Sequence, residues 1–178
     1  MNSINWDTLA EENNHGYKDY AADGKYTVKC TGVEVKEVGT NGSVVQKFQF
    51  EETDVQFPTA DHWLSFKNAG WRQWHNKNLM VLLGASEENA KKAVEMCESK
   101  DNKDSIVRAY EQTYKKLLSK KPEVEIEVFT DGKYARADFT ASSVRMNRPE
   151  QEEKKPDEDV VPTDAEVDGE ISLEEIPF

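Results

Sequence analysis

The chain has few cysteines and histidines and lacks a long apolar run. It contains two cysteines, Cys30 and Cys97, with no Cys-x-x-Cys pair, and three scattered histidines. A zinc site therefore has little support, and we expect two buried free thiols in a reducing compartment. No apolar run approaches the roughly 18 residues that a membrane span needs. Residues 1–7 lack the basic and apolar regions of a signal peptide, so we expect a cytoplasmic protein.

Catalytic signatures are missing as well. The sequence has no Gly-rich phosphate-binding loop, no G-x-S-x-G motif and no His-x-x-x-His pair. The neighbours Asp61 and His62 resemble an acid/base pair, but a chain with 33% charged residues produces such neighbours by chance. We therefore expect a protein that is not an enzyme and needs no cofactor.

Negative charge is in excess, with a formal net charge of −12, but it is unevenly distributed. Residues 149–178 hold 12 of the 35 acidic side chains and two of the 23 basic ones, a net of −10. Residues 1–148 are therefore close to neutral at −2, which leaves room for a local basic face. The acidic segment has no aromatic residue before Phe178, so we expect a disordered tail.

Alternating apolar residues predict strands in the first third of the body. Lys25–Cys30 alternates, Gly32 marks a bend, and residues 39–42 form a turn signal. Two further strands follow, the second of them from Asp61 to Lys67. The residues that we expect to face the core are Tyr26, Val28, Cys30, Gln46, Phe48, Phe50, His62, Leu64 and Phe66.

Helical spacing predicts three helices between about residues 69 and 121. In the first, the stripe expected to face the core is Trp71, Trp74, Asn78, Leu79 and Leu82. Ser86 is a candidate N-cap for the second, whose apolar side is Ala90, Ala93, Val94 and Cys97. The third, from about Asp104 to Lys120, carries Ile106, Val107, Tyr110, Tyr114, Leu117 and Leu118.

A final hairpin completes a five-strand order. Val124, Ile126 and Val128 alternate with glutamates, Asp131-Gly132 forms a turn, and Lys133 to Thr140 runs back. This order predicts a mainly β protein with an α insert: an OB-fold-like five-stranded barrel with a helical segment between strands 3 and 4. The expected organisation is an N-terminal arm (1–24), the OB-like domain (25–148) and the acidic tail (149–178).

The tail ends in a short motif, Leu173-Glu174-Glu175-Ile176-Pro177-Phe178. Pro177 stiffens the backbone, and Phe178 offers an aromatic anchor for an apolar pocket. The terminal carboxylate beside Glu174 and Glu175 suits a pocket rimmed by Lys or Arg. We therefore interpret Glu174, Glu175, Ile176, Pro177 and Phe178 as a protein-docking tip; the alternative is a solubilising tail with an arbitrary end.

This ending resembles the tail tip of bacterial and phage single-stranded-DNA-binding proteins, in which an acidic arm ends in Ile-Pro-Phe. Bacterial members typically have Asp at the positions of Glu174 and Glu175, a departure that keeps the charge. The body shows no close match to the bacterial domain, and its longer helical segment is more similar to a divergent phage-encoded relative, which would act in the host cytoplasm. The resemblance implies sequence-independent binding of single-stranded DNA during replication, recombination and repair, with partner proteins recruited by the tip.

Binding a single strand without sequence preference requires cations for the backbone and aromatic faces for the bases. The candidates, mostly on outward strand faces, are Trp63, Lys67, Lys25, Lys29, Lys36, Lys47, Arg72, Lys133, Tyr134 and Arg136. Trp63 is the best stacking candidate, unless a register shifted by one residue turns it inward. Trp71 and Trp74 are interpreted as core residues rather than DNA contacts.

Two other functions remain open at this point. An acidic adaptor or DNA-mimic inhibitor acts through its tail without binding DNA, and a recombination-mediator or annealing protein binds DNA for a different purpose. The sequence leaves oligomeric state and site size undetermined.

Overall fold

The protein is built around a closed five-stranded barrel. The computed structural model describes residues 18–40 and 42–146. The strands are β1 (Gly24–Val38), β2 (Ser43–Phe50), β3 (Ala60–Leu64), β4 (Glu123–Asp131) and β5 (Tyr134–Phe139). They close in the order β1-β2-β3-β5-β4. Three helices lie between β3 and β4: α1 (Ala69–Leu82), α2 (Glu87–Glu98) and α3 (Lys103–Leu118).

This architecture confirms the predicted OB-fold-like barrel with its helical insert. The expected arm at residues 1–24 is described from residue 18 onward. The acidic tail (149–178), including the tip at Glu174 to Phe178, lies outside the described residues.

The interior of the barrel follows the predicted alternation. Val28, Cys30 and Phe48 are buried, as are Phe50, Leu64, Val124, Ile126, Val128 and Phe139. Both cysteines are buried free thiols, as expected. His62 points inward and Trp63 outward, so the alternative register, with Trp63 in the core, is wrong.

A bulge bends β1 so that it can pair with two neighbours. The register against β2 shifts between Cys30 and Gly32, which confirms the predicted bend. A Cβ added at Gly32 would lie 2.8 Å from Gln49 Oε1, the end of an exposed and flexible side chain, so a larger residue here would mainly displace that amide. Before the bulge β1 pairs with β4, and from Gly32 onward its ladder is with β2.

The barrel closes most weakly between β3 and β5. One parallel pair, Ala60 with Ala137, joins these strands, whereas six antiparallel pairs, from Ile126–Phe139 to Asp131–Tyr134, join β4 and β5. The barrel thus consists of a β1-β2-β3 sheet and a β4-β5 hairpin. The two are joined on one side by the pairing of β1 with β4 and on the other by the single β3–β5 pair, which forms a narrow seam.

Two of the three helices follow the predicted pattern. Ser86 caps α2 by accepting a hydrogen bond from Asn89 N, and Asn102 caps α3 in the same way through Ser105 N. The predicted apolar side of α2 is buried, and so are Tyr110, Tyr114, Leu117 and Leu118 of α3.

The stripe predicted for α1 is correct for Leu79 and Leu82, which are buried in or packed against the core, and wrong for the exposed Trp74. The buried side chains of the helix are Arg72, His75, Asn76, Leu79 and Met80, whereas Trp74 is 51% exposed. Polar partners explain the difference: Asn76 Oδ1 accepts from Tyr114 Oη at 2.6 Å and from Gln46 Nε2 at 3.2 Å. Hydrogen-bonded polar side chains can therefore occupy the inner face that the apolar pattern assigned to tryptophan.

Candidate nucleic-acid interface

Exposed aromatic side chains mark one side of the barrel. Among the described residues, five large hydrophobic side chains are exposed: Tyr20, Trp63, Trp74, Val81 and Tyr134. Tyr20, Trp63 and Tyr134 belong to the barrel and the segment beside it, and the other two to α1. Tyr20 and Tyr134 both line one open groove of about 340 Å³.

The groove is formed where three segments converge at the β3–β5 seam. The segment before β1 runs beside the β2–β3 loop, because Ala21 N donates to Gln56 O at 2.9 Å and Gln56 N donates to Asp19 O at 3.0 Å. This pairing holds Tyr20 opposite the β4–β5 hairpin. The lining residues are Tyr20, Lys47, Phe57, Pro58, Thr59, Asp61, Tyr134, Ala135 and Arg136.

The β4–β5 hairpin supplies an aromatic ring and two cations. Its turn uses Gly132 at φ 62°, a left-handed conformation that glycine adopts without strain. Lys133 Nζ lies 5.2 Å from the centroid of the Tyr134 ring, and Arg136 Nε lies 3.0 Å from Asp131 Oδ2. Tyr134 is 60% exposed, so one face of a rigid ring is open to a flat ligand.

An ion pair lies on the β2–β3 side of the groove. Lys47 and Asp61 are cross-strand neighbours on the outer face, and Lys47 Nζ lies 2.8 Å from Asp61 Oδ2. Thr59 Oγ1 donates to Asp61 Oδ1 at 2.9 Å. This carboxylate therefore has two local partners, and Lys47 is largely neutralised where a phosphate would approach.

Trp63 lies further along the same outer face of β3. It is two residues beyond Asp61, roughly 7 Å along the strand, and is 44% exposed. Its cross-strand neighbour is Val45, and the neighbour of Val45 on β1 is Lys36. Val45 is 2% exposed although it points outward, so its neighbours cover it. Trp63 and the covered Val45 beside it form an apolar patch next to the groove, here called the Trp63 platform.

The structure separates several predicted DNA contacts from this surface. Lys25 and Lys29 lie on the β1–β4 side of the barrel, in register with Glu127 and Glu123. Lys29 Nζ is also 3.8 Å from Glu51 Oε2. Lys67 is exposed just after β3, between Trp63 and α1. Of the ten predicted residues, the structure brings together Lys36, Lys47, Trp63, Tyr134 and Arg136, with Lys133 at the hairpin tip.

Arg72 is a correction: it does not belong to the surface. Its guanidinium is buried in a bidentate pair with Glu98, with Nε–Oε1 at 2.8 Å and Nη2–Oε2 at 2.7 Å. Nη1 donates to Ser65 O at 2.8 Å, and the group lies 4.4 Å from the centroid of the Phe66 ring. Hydrogen bonding to Glu98 raises the pKa of Arg72. Arg72 thus fastens α1 to α2 and has no free donor face for phosphate.

The cations of this face are largely paired with carboxylates. Lys36 Nζ lies 2.9 Å from Glu34 Oε1, in addition to the Lys47 and Arg136 pairs above. Lys67 and Lys133 form no ion pair with another described residue. The face is therefore charge-balanced rather than strongly basic, and its aromatic rings are its most distinctive feature.

Sequence reasoning missed Tyr20, Phe57 and Thr59. No periodic pattern marks the segments that carry them, because their positions depend on the pairing of Asp19 and Ala21 with Gln56. The aromatic Tyr20 beside Lys18 was the one available signal, and it resembles any exposed loop tyrosine.

Comparisons with known proteins assign no family. No family model, curated protein or solved structure matches this chain. Within residues 18–40 and 42–146, no group of three or more His, Cys, Asp or Glu side chains is arranged to hold a metal ion. No helix in the same ranges combines the length and apolar character needed to cross a membrane.

Proposed function

We propose that this chain binds single-stranded DNA without sequence preference, through the groove and the Trp63 platform. The observation that carries the proposal is the placement of Tyr20, Trp63 and Tyr134 on one side of an OB-like barrel, beside lysine and arginine side chains. Aromatic faces of this kind accept any base, because every base has a π-face. OB-folds bind oligonucleotides through the same side of the barrel, the strand 2–3 face and the loops next to it.

Stacking carries most of the affinity in this proposal. The pairs Lys36–Glu34, Lys47–Asp61 and Arg136–Asp131 reduce the attraction for phosphate, whereas each stacked base contributes roughly 1–3 kcal/mol. Lys67 and Lys133 then act as the main phosphate contacts at the two ends of the path. Binding should depend on salt less steeply than for a protein with a strongly basic groove.

The C-terminal tip has the second role in the proposal. Its residues Glu174 to Phe178 recruit proteins of replication, recombination and repair, while the barrel holds the DNA. This part rests on the sequence of the tip and on its resemblance to the tails of single-stranded-DNA-binding proteins. Removing residues 171–178 is expected to abolish capture of partner proteins and to leave binding of a dT oligonucleotide intact.

Titration with a dT oligonucleotide of about 16 nucleotides, the upper end of the range of OB-fold site sizes, tests the DNA-binding role. We expect a mobility shift and quenching of tryptophan fluorescence. Trp63→Ala and Tyr134→Ala should each weaken binding about 5- to 150-fold, the equivalent of one lost stack. Lys29→Ala on the β1–β4 side is the matched control and should change affinity little.

An acidic adaptor that does not bind DNA is the second candidate, and the paired cations of the face favour it. The same titration separates the two functions. Absence of any shift at micromolar protein and low salt would reject the DNA-binding proposal in favour of the adaptor. If DNA binds, strand-annealing kinetics then distinguish a binding protein from an annealing or mediator protein.

A further inference from the structure

Helix α1 has a second apolar face that the proposed DNA-binding role does not use. Its inner face, described above, packs against the barrel and the other helices. The outer face carries Trp71, Trp74, Asn78 and Val81, at successive spacings of three, four and three residues. Trp74 is 51% exposed and Val81 39%, and Trp71 and Asn78 are half-buried. Such a-d spacing is the pattern by which two helices pack together along a seam.

This face is almost free of charge. The two charged residues of α1 are Arg72, which is buried, and Lys77, whose Nζ lies 3.3 Å from Glu87 Oε1. The chain as a whole is 33% charged. Depletion of charge together with enrichment in tryptophan is typical of the buried centre of a protein–protein interface. The cation on this side of α1, Lys77, is already paired with Glu87, which separates the face from the DNA surface.

The tryptophan rings on this face are braced before any partner arrives. The Trp71 ring lies 4.0 Å from the His75 ring between centroids, and the Trp74 ring meets the same His75 edge-on at 4.9 Å. Burial of the imidazole lowers the pKa of His75 to about 4, so the ring beneath the two indoles is neutral at pH 7. Side chains that are already held lose less entropy when they are covered.

The order of residues on this face is self-complementary. Reversing the helix about residue 76 places Trp71 opposite Val81 and Trp74 opposite Asn78. An antiparallel two-fold contact between copies therefore opposes each large side chain with a smaller one, and each pair occurs twice.

We propose that the outer face of α1 pairs with the same face of a second copy, so that the protein forms an antiparallel homodimer. The self-complementary order of the face favours this occupant over a foreign one, and the net charge of only −2 over residues 1–148 allows two copies to approach each other. The groove lies at the Ala60 end of β3 and α1 follows the Leu64 end, so the groove stays open in the dimer.

The contact is small, and this sets its expected strength. At 1.5 Å per residue, the 14 residues of α1 span roughly 21 Å. One helix pair buries less than the roughly 800 Å² per partner of a standard interface. We therefore expect a dissociation constant on the order of 10–100 µM, in the range of small transient contacts.

Sedimentation velocity of the full chain from about 1 to 200 µM tests the dimer. We expect a reversible shift from monomer to dimer that Trp74→Glu and Val81→Lys each abolish. Tyr134→Glu is the matched control, since it places the same charge on an equally exposed aromatic position of the barrel, and it should dimerise like the wild type. Circular dichroism and the melting temperature establish that each variant is folded.

Two results would overturn the proposal. One is a wild-type chain that remains monomeric at 200 µM. The other is a dimer that persists in both folded variants, Trp74→Glu and Val81→Lys, because association must then use another surface.

Discussion

Acid should destabilise this protein through a buried pair of histidines. His62 is 1% exposed inside the barrel, and its ring centroid lies 5.5 Å from that of His75 on α1. Neither ring nitrogen of His62 has a hydrogen-bond partner among the described residues, and the same holds for His75 Nδ1. Burial, with a smaller contribution from His75, lowers the pKa of His62 to about 3, and burial lowers that of His75 to about 4.

The direction of the effect follows from proton linkage. An unfolded histidine has a pKa near 6.5. Below that pH, the unfolded chain therefore binds protons that the folded chain does not bind. Stability is therefore intact above pH 6.5 and falls as the pH drops towards the folded pKa values. Between pH 8 and pH 5 His62 alone should remove about 2 kcal/mol from the free energy of unfolding. The folded pKa of His75 also lies below 5, so His75 adds a loss of similar size.

Urea unfolding followed by tryptophan fluorescence at pH 8, 6.5, 5.5 and 5 measures this loss. The comparison is with His62→Leu, which removes two unpaired polar atoms and should be close to neutral in stability at pH 8. Carboxylates titrate equally in both proteins, so the difference between their pH profiles isolates His62. We expect the variant to retain about 2 kcal/mol more than the wild type at pH 5.

Equal losses in wild type and His62→Leu between pH 8 and pH 5 would refute this reasoning. NMR provides a second readout, because the His62 ring resonances should not titrate above pH 4. A midpoint near 6 for His62 would show that solvent or a polar partner reaches the ring.

Three further predictions concern other ion pairs and thiols. Asp61→Asn frees Lys47 and should strengthen binding of single-stranded DNA several-fold with a steeper salt dependence, by about 0.7 in the log–log slope; Glu123→Gln, on the β1–β4 side, should do neither. Glu98→Gln leaves the buried Arg72 without its charge partner and removes the carboxylate that accepts from Tyr110 Oη at 2.6 Å, so urea unfolding should show a loss of about 3–5 kcal/mol. The exposed Glu88→Gln is its control and should show no measurable change. Burial raises the pKa of Cys30 and of Cys97 to about 12, so both thiols should react with a disulfide reagent only at the rate of unfolding, and fast labelling of the native protein would contradict the burial.

The barrel could be predicted from the sequence because successive side chains of a strand alternate between its two faces. Val28, Phe48 and Ile126 alternate with polar or charged residues, and a one-residue shift would turn every side chain of a strand to the opposite face. The outward direction of Trp63 followed from the same rule. The turn at Gly132 and the cap at Ser86 were recognisable because each depends on one residue type.

The inner face of helix α1 and the residues of the groove could not be predicted in the same way. The inner face of α1 is polar because Asn76 meets Gln46 and Tyr114, which lie far away in the chain. A pattern of apolar residues contains no information about such partners. Likewise, Tyr20 reaches the groove through pairing with Gln56, and the carboxylates that neutralise Lys47 and Arg136 come from neighbouring strands and turns. The sequence indicated cations, whereas the structure determined how many were free.

The single Ala60–Ala137 pair closes the barrel between β3 and β5 and is its weakest junction. Opening this junction breaks one parallel pair and leaves both the β1-β2-β3 sheet and the β4-β5 hairpin intact. It is therefore the least costly large motion available to the strands. The groove residues lie on the two sides of this junction, with Phe57 to Asp61 on one side and Tyr134 to Arg136 on the other. If single-stranded DNA stacks across both sides as proposed, its binding would stabilise the closed barrel by a free energy that grows with ligand concentration. A barrel with an occupied groove would therefore open less often than one with an empty groove.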